Sequence, residues 1–271
     1  KMQLMSHLGA VDNQKLIFAP RGELYPGALG IKKVKKFIFL YLSKFLSSKL
    51  IFHATSEEEQ DCINAVFPGA DIRCAPNIPD LKENVDTKSS YNNNNVSFIF
   101  FSRISEKKNL QLAIEVVLDA NFGCSLDICG PIEDQGYFDR CMGEVMSHVN
   151  AHRILYKGNV LPSKVNKTLR RYDFLLLPTF GENYGHVIAE ALSASLPVII
   201  GPATPWTKYI EKFHCGCILD LGDTGASKNV MEFIGSLDEG TVQIMRDNAY
   251  AAYMDSVKSN DYSLYFKQLF R

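Results

Sequence analysis

Two carboxylates eight residues apart, Glu182 and Glu190, stand in the stretch Pro178-Thr-Phe-Gly-Glu-Asn-Tyr-Gly-His-Val-Ile-Ala-Glu190. Carboxylates accept hydrogen bonds from hydroxyls, and the backbone N–H groups at a helix start attract anions. A loop carboxylate, a helix start and a helix carboxylate in that order suit a phosphorylated sugar nucleotide. They supply an acceptor for sugar hydroxyls, donors for the phosphates and an acceptor for ribose hydroxyls. An ordinary loop Glu followed by a surface-helix Glu meets the same spacing, so the pair alone leaves both readings open. His186, at the expected helix start, is placed for contact with phosphate or sugar rather than for proton transfer.

The elements that must hold these residues are readable around them. The apolar run 174–177 is short and ends at Pro178, as a parallel strand covered on both faces does, and 197–200 repeats the pattern after a helix. Ligands of such sheets collect at the strand C-termini. Glu182 then falls in a loop at that edge, and Tyr184 and Gly185 open the helix that carries Glu190 one turn beyond His186.

Glu182-x7-Glu190, with Gly185 inside it, Glu190-Ala191 following and Pro197-Val198 beyond, resembles the donor-site signature of retaining family-4 glycosyltransferases. Those enzymes have the two-domain GT-B fold. A second stretch, Phe98-Ile-Phe-Phe-Ser-Arg-Ile-Ser-Glu-Lys-Lys-Asn-Leu-Gln-Leu-Ala-Ile-Glu-Val116, is similar to that family's strand, Arg-containing loop, Lys-Asn step and helix. Glu106 and Lys107 depart from the pattern, because the family usually has Glu directly before the matching Lys. Leu126-Asp-Ile-Cys-Gly-Pro131 is similar to a strand running into a Gly turn. Tyr156-Lys-Gly-Asn-Val160 resembles the loop near the nucleotide base, with Gly158 and Val160 as its residues. The resemblance covers roughly residues 50 to 270.

The resemblance implies an α/β protein of GT-B type, with a Rossmann-like C-terminal nucleotide-sugar domain and a partial Rossmann-like N-terminal domain. It implies that Arg103 and Lys108 hold the donor diphosphate with Gly185 and His186 beside it, that Glu190 holds the ribose hydroxyls, and that Glu182 is the catalytic carboxylate near the reacting carbon. The implied activity is transfer of a hexose from a nucleoside diphosphate sugar to a saccharide or lipid-linked acceptor in cell-surface polysaccharide biosynthesis. No cofactor and no metal are implied, since fixed cations neutralise the leaving diphosphate. Two other classes stay open: a non-catalytic nucleotide-sugar-binding module and a sugar-nucleotide epimerase of related fold.

With 271 residues, 46% hydrophobic and 22% charged, the chain can bury one or two cores, and alternating strand and helix signals favour α/β. A net charge of -1 offers no footprint for nucleic acid. The seven cysteines are odd in number and none forms a CxxC pair, as in a reduced, cytoplasmic chain. Cys215-Gly-Cys217 lacks further metal ligands at suitable spacing. No signal peptide or membrane span is expected, because the longest apolar runs are strand-sized.

The polar stretch 82–95 reads as an exposed connector. It divides a partial acceptor-side domain, 1–81, from a nucleotide-sugar domain, 96–258, and by the resemblance 259–271 is a helix returning to the first domain. Strands are expected at 16–19, 50–53 and near 72–74, with helices from about Ile31 and after Thr55-Ser56, where Glu58 and Glu59 sit in the first turn. Phe52-His-Ala-Thr-Ser-Glu57 and Pro76-Asn-Ile-Pro79 resemble the last strand-helix-strand of the family's first domain. Relatives carry more than the fifteen residues found here before Leu16, so a fragment is expected. Where many of them place a His after that strand, this chain has Pro20-Arg21-Gly22-Glu23. Arg21 reads equally as facing a phosphate or acceptor oxygen and as an exposed turn residue.

Residues 31–50 hold six lysines and no acid among aromatic and aliphatic side chains. They suit either a helix facing anionic lipid, hence peripheral contact at the inner membrane face, or a core helix with a solvated Lys face. Ser195 stands where the family prefers Gly, at the cost of a strained turn. Trp206 shapes the donor loop or packs under it.

Overall fold

Short apolar runs bounded by glycine, proline and polar turns form the strands, and runs with helical spacing cover them. The structure, a computed structural model, describes residues 16–20, 24, 50–55, 57–75, 91–92, 94–222 and 225–259. The chain divides into two compact units, Lys1–Ile78 with Asn260–Arg271, and Pro79–Ser259.

In the first unit β1 (Leu16–Phe18), β2 (Leu50–Ala54) and β3 (Asp71–Cys74) pair in parallel in that order. Helix α1 (Glu57–Val66) links β2 to β3 and packs on both. The N–H and hydroxyl of Thr55 donate to Glu59 at 2.8 and 2.6 Å, which caps the first turn and satisfies a wholly buried carboxylate. Phe52 centres the small core, edge-on to Phe18 at 5.7 Å and tilted against Phe67 at 4.8 Å. Strand ends differ from the sequence expectation by one residue, the ordinary fraying of element boundaries. Arg21, the helix from Ile31, the basic stretch up to 49 and the segment 260–271 lie outside the described residues.

The second unit alternates strand and helix throughout: β4 (Val96–Phe101), α2 (Leu110–Asp119), β5 (Cys124–Cys129), α3 (Gln135–Ser147), β6 (Ile154–Gly158), α4 (Val165–Leu169), β7 (Phe174–Leu177), α5 (His186–Ser193), β8 (Val198–Ile200), α6 (Thr207–Phe213), β9 (Gly216–Ile218), α7 (Ala226–Gly235) and α8 (Glu239–Ser259). The six strands are all parallel, in the order β6-β5-β4-β7-β8-β9. The chain runs outward from β4 to β6, returns beside β4 with β7, and runs outward again to β9. This is the Rossmann-like winding expected from the sequence, and its direction reverses between β4 and β7. Helices α2, α3 and α7 pack as one group and α4, α5, α6 and α8 as another. Between them Phe174, Leu175, Leu176 and Leu177 are entirely buried, which explains why β7 reads as an unbroken apolar run.

At the N-terminal ends of β4 and β7, Asp173 accepts hydrogen bonds from the N–H and hydroxyl of Ser97 at 2.9 and 2.7 Å and from Arg246 of α8 at 3.1 Å. Both charged side chains are buried, and their pairing offsets the loss of water. Tyr91 corrects the expected exposed connector: its ring is buried edge-on to Phe174 at 6.2 Å. One aromatic ring hides enough apolar surface to dock even within a polar segment.

Candidate functional site

The predicted residues of the second unit come from loops and a helix that follow the C-terminal ends of its strands. After β4 the chain passes Arg103 and enters a tight turn, Glu106–Lys108, and Asn109 in the left-handed conformation (φ 55) redirects it into α2. After β7 comes the loop that holds Glu182. The two loops are stitched together by backbone. Phe180 N–H donates to the Lys107 carbonyl at 2.9 Å, and the Thr179 hydroxyl donates to the same oxygen at 3.2 Å. On the far side Glu182 N–H donates to the Ala203 carbonyl, beyond β8, at 3.0 Å.

Held from both sides, Glu182 meets Lys108 across the point where the winding reverses. Lys108 Nζ lies 2.5 Å from Glu182 Oε1, with the two side chains only 9% and 11% exposed. Residues 74 apart are thus brought together by the adjacency of β4 and β7.

Gly185 turns the loop into α5. Its φ is +75, and a Cβ there would sit 3.0 Å from Ile188 Cδ1 and 3.3 Å from Trp206 Cδ1, so a side chain would be strained in backbone and crowded by both neighbours. The helix therefore starts at His186, as expected for that residue, while Tyr184 and Gly185, expected to open it, stand before it because a left-handed residue cannot belong to it. Trp206 packs under the loop, buried, with its indole N–H donating to the Tyr184 carbonyl at 2.6 Å. His186 is exposed at the first helical position, its ring 4.8 Å from that of Tyr184. Glu190, half-buried, follows one turn later.

Arg103 is exposed and pairs with Glu133, after β5, at 2.9 and 3.1 Å. A pair in water is weak, so its guanidinium can exchange partners. Gly130 ends β5 so close to the Arg103 loop that a Cβ would lie 1.9 Å from the Ser102 carbonyl. The Gly130 N–H donates to the Gly158 carbonyl at 2.9 Å, and the Tyr156 hydroxyl donates to the Gly130 carbonyl at 3.0 Å. Gly158 and half-buried Val160 accordingly stand two strands away from the reversal point. On the side of α2 and α3 a cavity of about 470 Å³ is lined by Glu106, Asn109, Gln111, Arg140, Glu144 and Phe180 among others, and holds none of the predicted residues.

Two charged neighbours escaped the sequence reading. Glu133 had no signal, being thirty residues from its partner. Lys107 was visible only as a misfit to a motif. Its side chain crosses Gly181, with Cε 3.9 Å from the position a Cβ would take there. Partial withdrawal from water lowers its ammonium below the ordinary lysine value, Lys108 and Arg103 push it the same way, and Glu182 opposes them. Among the described residues no group of three or more His, Cys, Asp or Glu side chains could hold a metal ion, and no helix is long and apolar enough to cross a membrane.

The family model described as glycosyl transferases group 1 matches residues 82–251. A comparison with curated proteins gives no match. Among solved structures the chain is similar to HepE of Anabaena in complex with UDP and glucose, at 17% identity and a TM-score of 0.74, covering 99% of this chain and 73% of that one. It is also similar to WaaG, a glycosyltransferase involved in lipopolysaccharide biosynthesis, at 12% identity and a TM-score of 0.72, over 99% of this chain and 80% of that one. Sucrose-phosphate synthase from Thermosynechococcus elongatus shows 15% identity and a TM-score of 0.69, over 98% and 70%. At such identities the likeness is one of fold, and the fold is GT-B.

Proposed function

The chain belongs to the glycosyl transferases group 1 family and is a glycosyltransferase, and from that premise we propose that it moves a hexose from a nucleoside diphosphate sugar to a saccharide or lipid-linked hydroxyl, with retention at the sugar carbon. The observation that carries this is the buried Lys108–Glu182 contact at the winding reversal. It sets a cation suited to phosphate beside a carboxylate suited to a sugar, at the edge where α/β sheets bind ligands.

In the proposed reaction the acceptor oxygen bonds to the anomeric carbon as the bond from that carbon to the diphosphate breaks. The bonding pair leaves with the diphosphate, and the acceptor proton passes to a phosphate oxygen on the same face. Arg103, Lys108 and the positive end of the α5 dipole stabilise the charge growing on the leaving group. Glu190 accepts from the ribose hydroxyls, and Glu182 holds the transferred sugar at the reacting carbon. A donor phosphate competes with Glu182 for Lys108, so donor entry and release of the carboxylate toward the sugar are one exchange. HepE was solved with UDP and glucose, which supports uridine donors as the first to try. The part of WaaG in lipopolysaccharide biosynthesis supports a cell-surface saccharide as acceptor.

The test is turnover with a panel of nucleoside diphosphate hexoses and saccharide or lipid-linked acceptors, with and without a chelator, the product anomer read by NMR. Retained configuration, activity in chelator, and a loss of about 100-fold in kcat for Glu182→Ala are expected. An inverted product, or no transfer from any donor, would overturn the proposal.

A further inference from the structure

Three cations converge around the two stitched loops, and their charges are not equally spoken for. Arg103 is neutralised by Glu133 at 2.9 Å and Lys108 by Glu182 at 2.5 Å. Lys107 has no ion-pair partner among the described residues. Its backbone is fixed by Phe180 and Thr179, and its stem crosses Gly181, next to Glu182. Each pair is electrically near zero at a distance, so the surplus positive charge of this corner belongs to Lys107.

Building on the donor reading above, we infer that Lys107 is a specificity-determining residue that takes a phosphate oxygen of the donor and so selects nucleoside diphosphates over nucleosides and monophosphates. A lysine is a point charge on a flexible stem, suited to follow a phosphate that the rigid backbone does not itself contact. Its surroundings favour such a partner. An ammonium whose proton is loosened by partial burial and by Lys108 and Arg103 regains stability when an anion joins it. Glu182 is the carboxylate that opposes this lowering, and it is already engaged by Lys108.

The experiment is titration calorimetry of the 271-residue chain with UDP, UMP and uridine, for wild type, Lys107→Gln, Lys107→Arg and Lys107→Glu. Lys107→Gln should weaken UDP about tenfold, the effect of one charge-assisted contact, and leave uridine unchanged. Lys107→Glu should weaken UDP further, and Lys107→Arg should keep it within about threefold. Between pH 7 and 10 the affinity of wild type should fall as the Lys107 ammonium deprotonates, and less steeply in Lys107→Arg, which stays charged. Unchanged UDP affinity in Lys107→Gln, or equal losses for UDP and uridine, would overturn the inference and leave the donor reading standing. A wild type that binds no nucleoside diphosphate of any base would remove the donor reading and this inference with it.

Discussion

The two ends of β7 each carry a carboxylate against a cation, yet they are built differently. Before the strand, Asp173 is fully buried and accepts from a backbone N–H, a hydroxyl and the Arg246 guanidinium. After it, Glu182 accepts at its carboxylate from Lys108 alone among the described residues. A buried carboxylate that already accepts three hydrogen bonds from protein groups has little to offer a ligand, and moving it abandons several bonds at once. One held by a single flexible ammonium at a loop can change partners at little cost. The strand thus has a structural end and an exchangeable one, and the number of bonds, not the burial, separates them.

The sharpest way to break this contrast is to remove each carboxylate. Asp173→Ala should cost about 3–5 kcal/mol in urea denaturation, because it strands a buried arginine. Glu182→Ala should cost clearly less, since the Lys108 stem can carry its charge toward water. Equal losses would erase the distinction.

Next in size are effects on binding. Lys108→Ala should lose about 1.5–3 kcal/mol of affinity for a nucleoside diphosphate while leaving the nucleoside unaffected. Glu190→Ala should lose a similar amount for both, because ribose is common to them. Calorimetry that found the two variants indistinguishable would show that phosphate and ribose are not read by separate residues.

A smaller effect sharpens the structural end. Tyr91 places a buried hydroxyl with no hydrogen-bond partner among the described residues, and burial together with Asp173 raises it to about 12. Tyr91→Phe should therefore gain about 1 kcal/mol at neutral pH. The sign with pH follows from a folded value above the unfolded one of 10.0. The tyrosine's contribution is complete below about pH 10 and is lost as pH rises toward 12, so the Phe variant should show a shallower alkaline decline in denaturation midpoint.

The smallest change is expected away from both ends. Ser195 closes α5 with a left-handed backbone (φ 56), and Ser195→Gly should stabilise by roughly 0.5–1 kcal/mol. No gain in thermal midpoint would mean that the lost side-chain contacts of Ser195 match the relief.

Much of this was legible in order along the chain. The run from Phe174 to Leu177 is wholly apolar because both faces are covered, Pro178 ends it, and Gly185 marks a left-handed turn that a side chain would strain. The cost accepted at Ser195 and the place of Trp206 under the loop also follow from local patterns. Tyr91 departs from the exposed connector expected of 82–95 because polarity of a segment says little about one aromatic ring inside it.

Residue types and short-range spacing therefore determined which elements form, where they end, and which side chains stand at the ligand-binding edge of a parallel sheet. Partner choice was decided only by the tertiary structure. Lys108 meets Glu182, Arg103 meets Glu133 and Arg246 meets Asp173 across 74, 30 and 73 residues, and the same arrangement leaves Lys107 without an ion pair among the described residues. Local sequence carries no information on such pairs, because strand order, which sets which loops are neighbours, is a property of the whole packed sheet.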